Sequence, residues 1–183
     1  EHPFPPGRIK ITQALKTLMG RKDFQAIKIA EIAETAGVNE ALIYKYFKNK
    51  RDLLYAMIVD YLEICRDEMM STIETQSGTM HKLEVFIRTL LDIYNKDRVF
   101  SRTILFELRN SSDYYTSTPY HMLQGFYDLC LNIIKEGITD GTFREDIDPA
   151  FAAMVFYGAI EQLLSGWIFG VIPGSDRNFD EAR

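Results

Sequence analysis

The sequence predicts an all-α protein, with an N-terminal three-helix domain built around a helix-turn-helix and a C-terminal helical bundle. Three observations carry that prediction. Apolar residues recur at helical spacing in every long segment. Asn, Asp or Thr precede these segments and Gly follows several of them, as helix caps do. No segment alternates in the way a half-buried strand does.

The elements follow in order. Residues 8–19 form a first helix with Ile11, Leu15, Leu18 and Met19 on one face, and the preceding Phe4-Pro5-Pro6-Gly7 reads as a structure breaker. In 29–36, Ile29, Ile32 and Ala33 share a face; Gly37 suits the unusual backbone of a helix end, and Asn39 is a good N-cap for a two-turn helix over 40–46. Ala33 and Ala36 leave room for these two helices to cross closely. This is the layout of a helix-turn-helix, whose second helix enters the DNA major groove while the first crosses the backbone.

A long helix without an internal breaker spans 50–75, with Leu54, Met57, Ile58, Tyr61, Leu62, Cys65, Met69 and Ile73 at helical spacing. Gln76-Ser77-Gly78 ends it, and Thr79 caps a helix carrying Leu83, Phe86, Ile87, Leu90, Leu91 and Tyr94. Asp97 caps the next, with Phe100, Ile104, Leu105 and Leu108. The polar tract 110–118 is the longest loop. Thr118 and Pro119 read as an N-cap with proline in the first helical position, opening a helix that runs to 140 and is ended by Gly141. Asp148-Pro149 opens the last helix, to about residue 170.

Ala33-Glu34-Thr35-Ala36-Gly37-Val38, followed by Ile43-Tyr44-Lys45-Tyr46-Phe47-Lys48-Asn49-Lys50-Arg51-Asp52-Leu53-Leu54, resembles the DNA-binding signature of TetR-family transcriptional regulators. The resemblance covers residues 8–55. Lys28 and Glu40 depart from it, the first where Thr or Ser usually caps the helix, the second where a small or basic residue is common. Double-stranded operator DNA is therefore the expected partner. Tyr44 and Lys50 are expected on phosphates, with Lys28 and Lys48 adding backbone contacts. Asn39, Ala41, Leu42 and Lys45 are expected to face or flank base edges, and Glu40 and Tyr46 complete the set.

The net charge of −5 looks wrong for a DNA binder until the chain is divided. Residues 1–55 hold ten Lys/Arg against six Asp/Glu, a net of +4, and residues 56–183 hold eleven against twenty, a net of −9. A basic module that meets phosphate thus precedes an acidic remainder. The division of labour is expected at residue 50: DNA binding in 1–50, ligand binding and dimerisation in 51–183.

Hydrophobic content of 46% excludes disorder. Cys65 and Cys130 lie among apolar helical neighbours and read as buried free thiols of a reducing cytoplasm. His2, His81 and His121 are isolated, so neither a metal nor any other cofactor is expected. The N-terminal residues do not read as a signal peptide, and the first residue, Glu1, leaves room for an arm ahead of it.

Residues 150–172 carry one charge, Glu161. The length suits a membrane span, but Glu161 and Gln162 sit at its centre and no basic cluster flanks it. A helix apolar all round is otherwise buried all round, one face on its own domain and the other on a second copy. A homodimer is expected, with no membrane; Glu161 then hydrogen-bonds across the dimer. The TetR resemblance implies the same arrangement through the last two helices, and a ninth helix is expected to start near 179–183, cut short or absent here.

An effector site is expected among Tyr94, Phe100, Phe106, Phe126, Tyr127, Met154, Tyr157 and Trp167, because apolar pockets lie between bundle helices. Ile104-Leu105-Phe106-Glu107-Leu108-Arg109-Asn110-Ser111 resembles a stretch of TetR regulators of fatty-acid metabolism that respond to acyl-CoA. The resemblance implies a small apolar effector of that class, which releases a repressor from DNA. Arg102 or Arg109 then meets its phosphate or carboxylate; alternatively each pairs at the surface with Glu107 or Asp113. A helical enzyme and a protein-interaction bundle are the rival classes. Neither a Ser/His/Asp arrangement nor a phosphate loop supports the first, and the basic motif speaks against the second.

Overall fold

A computed structural model describes residues 4–171. Among them there are helices and turns and no strand: α1 (Pro6–Met19), α2 (Ile29–Ala36), α3 (Glu40–Tyr46), α4 (Lys50–Glu74), α5 (Thr79–Lys96), α6 (Arg98–Arg102), α7 (Thr118–Thr139) and α8 (Pro149–Ile168). The expected all-α class is what is observed. The ninth helix expected near 179–183 lies outside the described residues.

Several boundaries differ from expectation. Pro6 does not break α1 but opens it, since the first turn of a helix needs no amide hydrogen from that residue. Thr79 is the first residue of α5, not its cap, and its hydroxyl donates to Asp140 at the far end of α7. Ser117 caps α7 by accepting from Tyr120 N, which leaves Pro119 in the first turn. Asp97 caps α6 as expected, accepting from Val99 N and Phe100 N, but that helix soon loosens. Thr103–Glu107 has π-helical bonding, followed by short 3₁₀ turns at Leu108–Asn110 and Tyr114–Thr116. Tyr114 is buried in what reads as a polar loop.

The core is continuous from end to end. Ile11, Leu15, Ile32, Ile43, Leu53, Leu54 and Ile58 are fully buried in the N-terminal part, and Leu62, Cys65, Met69, Phe86, Cys130 and Ile160 continue it. α4 belongs to both parts, packing on α1 of the N-terminal part and on α5 and α7 of the C-terminal part. Burial pushes both thiols up to about 11, so Cys65 and Cys130 are inert fillers. α7 packs closely at Gly137, where a Cβ would collide with the ring of Phe143 and stand 2.9 Å from Thr79 Cγ2. Gly137→Val is therefore expected to destabilise the fold by about 1–3 kcal/mol, read as a lowered melting temperature.

Candidate functional site

The helix-turn-helix is held by local bonds that the sequence dictates. Gly37 (φ 65°) ends α2 in the left-handed region, with Val38 N bonded to Ala33 O at 3.0 Å and Gly37 N to Glu34 O at 3.1 Å. Asn39 Oδ1 then accepts from Leu42 N at 2.9 Å and starts α3. Ile43 and Phe47 anchor α3 inward. On its outer side Glu40, Ala41, Tyr44 and Lys45 are exposed, with Asn39 before it and Lys48 after it; Tyr44 is 55% exposed.

An open concavity of about 560 Å³ lies along this surface, lined by Gly37, Val38, Asn39, Ala41, Leu42 and Lys45. Leu42 is half-buried because it also packs towards the start of α1: a Cβ on Gly7 would lie 3.2 Å from Leu42 Cδ2 and 3.6 Å from Tyr46 Cε2. Tyr46 thus props α3 against α1 and has less surface to offer DNA than Tyr44. Lys28 is exposed at the start of α2, where its backbone amide donates to Glu31 Oε2 at 2.8 Å. Glu31, also paired with Lys22, supplies the capping that Lys28 cannot, since an ammonium has no acceptor.

Lys50 departs from expectation. Its ammonium donates to three backbone carbonyls, Phe24 O at 2.9 Å, Gln25 O at 3.2 Å and Ile27 O at 2.7 Å, and lies 4.5 Å from the Phe24 ring centroid. Burial, then the charge of Arg51, pulls its pKa below the ordinary lysine value. All three donors are occupied, so Lys50 latches α4 to the 3₁₀ turn Phe24–Ala26, and a phosphate reaching it has to displace one of these bonds.

In the C-terminal part a cavity of about 120 Å³ lies between α4, α5, α7, α8 and the π-helical segment. Five of the ten expected effector residues line it: Tyr94, Arg109, Phe126, Tyr127 and Tyr157. The other five do not. Phe100 stacks on Tyr61 at 3.9 Å between ring centroids, as core between α1 and α4. Arg102 reaches away to Asp23 at 2.6 Å. Phe106 packs on Phe169, and Arg98 lies over Trp167. Met154 points outward from α8, 59% exposed.

The residues that sequence reasoning missed include Leu62, Ile104, Tyr114, Leu123 and Glu161. Glu161 pairs with Arg109 of its own chain, which corrects the Glu107 or Asp113 partner considered for Arg109. Its lone charge in an apolar helix was the available signal. Burial raises the pKa of Tyr94 and of Tyr157, so both phenols remain neutral donors. The Tyr157 hydroxyl is buried and has no partner among the described residues. The wall thus mixes aliphatic and aromatic surface with the Arg109–Glu161 ion pair, Gln124 and the buried Tyr157 hydroxyl.

Comparison with known proteins agrees with this architecture. Residues 11–57 match the family described as bacterial regulatory proteins, tetR family, and residues 59–176 match the YsiA-like protein C-terminal region. The fatty acid metabolism regulator protein of Bacillus subtilis is 24% identical over 175 residues, covering 96% of this chain and 88% of that protein. The structure of the fatty acid degradation regulator FadR from Bacillus halodurans superposes with a TM-score of 0.83 at 21% identity, over 92% of this chain and 88% of that one. FadR from B. subtilis in complex with stearoyl-CoA gives a TM-score of 0.81 at 22% identity, over 92% and 93%. With both parts of the chain matched, this protein belongs to the TetR family and is a DNA-binding transcriptional regulator, not an enzyme.

Proposed function

We propose that this regulator is a cytoplasmic repressor that binds its operator as a homodimer and is released by a long-chain fatty acyl-CoA. The cavity carries the reading. Its walls suit an alkyl chain, and the unused Tyr157 hydroxyl suits the neutral carbonyl of a thioester. Arg109 and Glu161 neutralise each other, which leaves no net positive charge for a free carboxylate. The names of the B. subtilis regulator and of the stearoyl-CoA complex support the same ligand class. Calorimetry with palmitoyl-CoA and palmitate tests it: the thioester binds the wild type more tightly, and Glu161→Gln improves palmitate about tenfold by freeing Arg109. Wild-type protein that does not bind palmitoyl-CoA, or that binds palmitate more tightly, removes the reading.

At about 120 Å³ the cavity is smaller than the roughly 300–1,000 Å³ of typical ligand sites, so an acyl chain has to part the elements around it. Two of its walls lead to the DNA module, which we take to end near residue 50. Leu62 lies on α4, and Ile104 on the π-helical segment whose last residue is Glu107. Glu107 Oε2 and Arg51 Nη1 are buried without partners among the described residues, and the charge of Glu107 is felt at Lys50. Lys16–Asp97, Arg102–Asp23 and Tyr55–Asp113 tie the same region to the N-terminal part. Displacing Ile104 therefore shifts the seat of the helix-turn-helix. A coupling of about 1–3 kcal/mol is typical of such systems.

The DNA contacts proposed for Tyr44, Lys45, Lys48 and Lys28 rest on the exposure of each at or beside the helix-turn-helix. Lys45→Ala is expected to change sequence preference, at about 1–3 kcal/mol for each lost base contact. Tyr44→Phe should weaken all sequences alike. Binding to DNA selected from the source genome distinguishes these outcomes.

The dimer reading rests on α8. This helix is long and apolar enough to cross a membrane, with 28% of its most apolar window buried. Its exposed apolar residues form one stripe, Phe151, Met154, Val155, Ala159 and Leu163, at the spacing of a single helix face. A second copy of the chain covers that stripe, and a two-fold pair is what a helix-turn-helix needs to read two half-sites.

A further inference from the structure

A second cavity of about 120 Å³ lies between α4 and α7, lined by Met69, Met70, Met122, Leu129, Gly125 and Arg66 together with Phe126. Phe126 also lines the inner cavity, and its ring is buried. Leu62 of the inner cavity and Met69 of the outer one lie two turns apart on one face of α4. The neighbouring Met122 and Leu123 divide in the same way between outer and inner walls on α7. The two cavities therefore follow one seam, and Phe126 is their shared wall.

Gly125 provides a second observation. It stands inside α7, where glycine costs about 1 kcal/mol relative to alanine, yet a Cβ there would meet nothing within 4 Å. No close packing calls for it, and its effect is to leave the outer cavity open. Three methionines line that cavity, and their unbranched thioether chains rearrange at low cost.

From this arrangement we infer that Phe126 is a movable partition which sets the length of acyl chain the regulator accepts. The inference rests on the acyl-CoA reading above. With the thioester at Tyr157 and the coenzyme leaving past the exposed side of Arg109, a short chain fills the inner cavity against Phe126. A longer chain turns the ring aside and places its end among the methionines.

Two variants test this, each titrated with octanoyl-, palmitoyl- and stearoyl-CoA. Phe126→Ala is expected to raise the preference for stearoyl-CoA over octanoyl-CoA by about tenfold, the effect of burying two more methylenes. Gly125→Leu fills the outer cavity without removing a core atom and so covers the case in which Phe126→Ala does not fold. It is expected to weaken stearoyl-CoA by about tenfold and to leave octanoyl-CoA unchanged. Wild-type protein that binds acyl-CoA while both variants keep its length profile overturns the partition and leaves the acyl-CoA reading intact. Wild-type protein that binds no acyl-CoA overturns both.

Discussion

Leu163→Glu is expected to yield a folded monomer whose operator affinity is lower by about 10²–10⁴-fold, the contribution of joining two binding modules. Leu163 is 49% exposed on the α8 stripe, so the carboxylate is solvated in the monomer and costs the fold little. In the dimer the same charge lies at an apolar contact without a partner, where an isolated buried charge is strongly unfavourable. Ala159→Glu is expected to act in the same way. Sedimentation of both variants at micromolar concentration, beside a retardation assay, reads the two effects together. A wild type that sediments as a monomer removes the stripe's proposed partner.

The second large effect belongs to Lys50. Lys50→Ala removes three charge-assisted hydrogen bonds and leaves the carbonyls of Phe24, Gln25 and Ile27 to water. Net contributions of about 1.5–3 kcal/mol per bond to a charged group, offset by hydration of the freed carbonyls, suggest a loss of about 2–4 kcal/mol. For a chain of this size that lowers the melting temperature by about 5–15 °C. The sequence-based expectation is different: a phosphate contact, whose loss weakens binding to all sequences alike and flattens the salt dependence by about one unit per half-site. Melting and salt titration of the same variant separate the two. An unchanged melting temperature with a reduced salt slope contradicts the latch.

The DNA module was legible because its determinants are local. Gly37 and the Asn39 cap are read within a few residues of chain, and each occupies its expected place. Lys50 was not legible, because its partners lie on a turn more than twenty residues away. The effector cavity suffered in the same way. Arg109 and Glu161 are 52 residues apart, and Arg102 finds Asp23 at a separation of 79. Periodicity could not divide α8 either, since nearly every position on it is apolar. Only packing separates Ala153, Ile160, Leu164 and Ile168 from the outward Met154 and Leu163. Phe100 read as pocket lining because its stack on Tyr61 joins two helices that the sequence does not show to be neighbours.

Release of the operator complex by acyl-CoA is the most direct test of the whole account. The operator is first recovered as the genomic fragment that the wild-type protein retains, and is then held in complex while acyl-CoAs of increasing chain length and their free acids are added. The account predicts two protected half-sites related by a two-fold axis, with release by long-chain thioesters at lower concentrations than by the matching acids. A complex that stays intact at every chain length contradicts it.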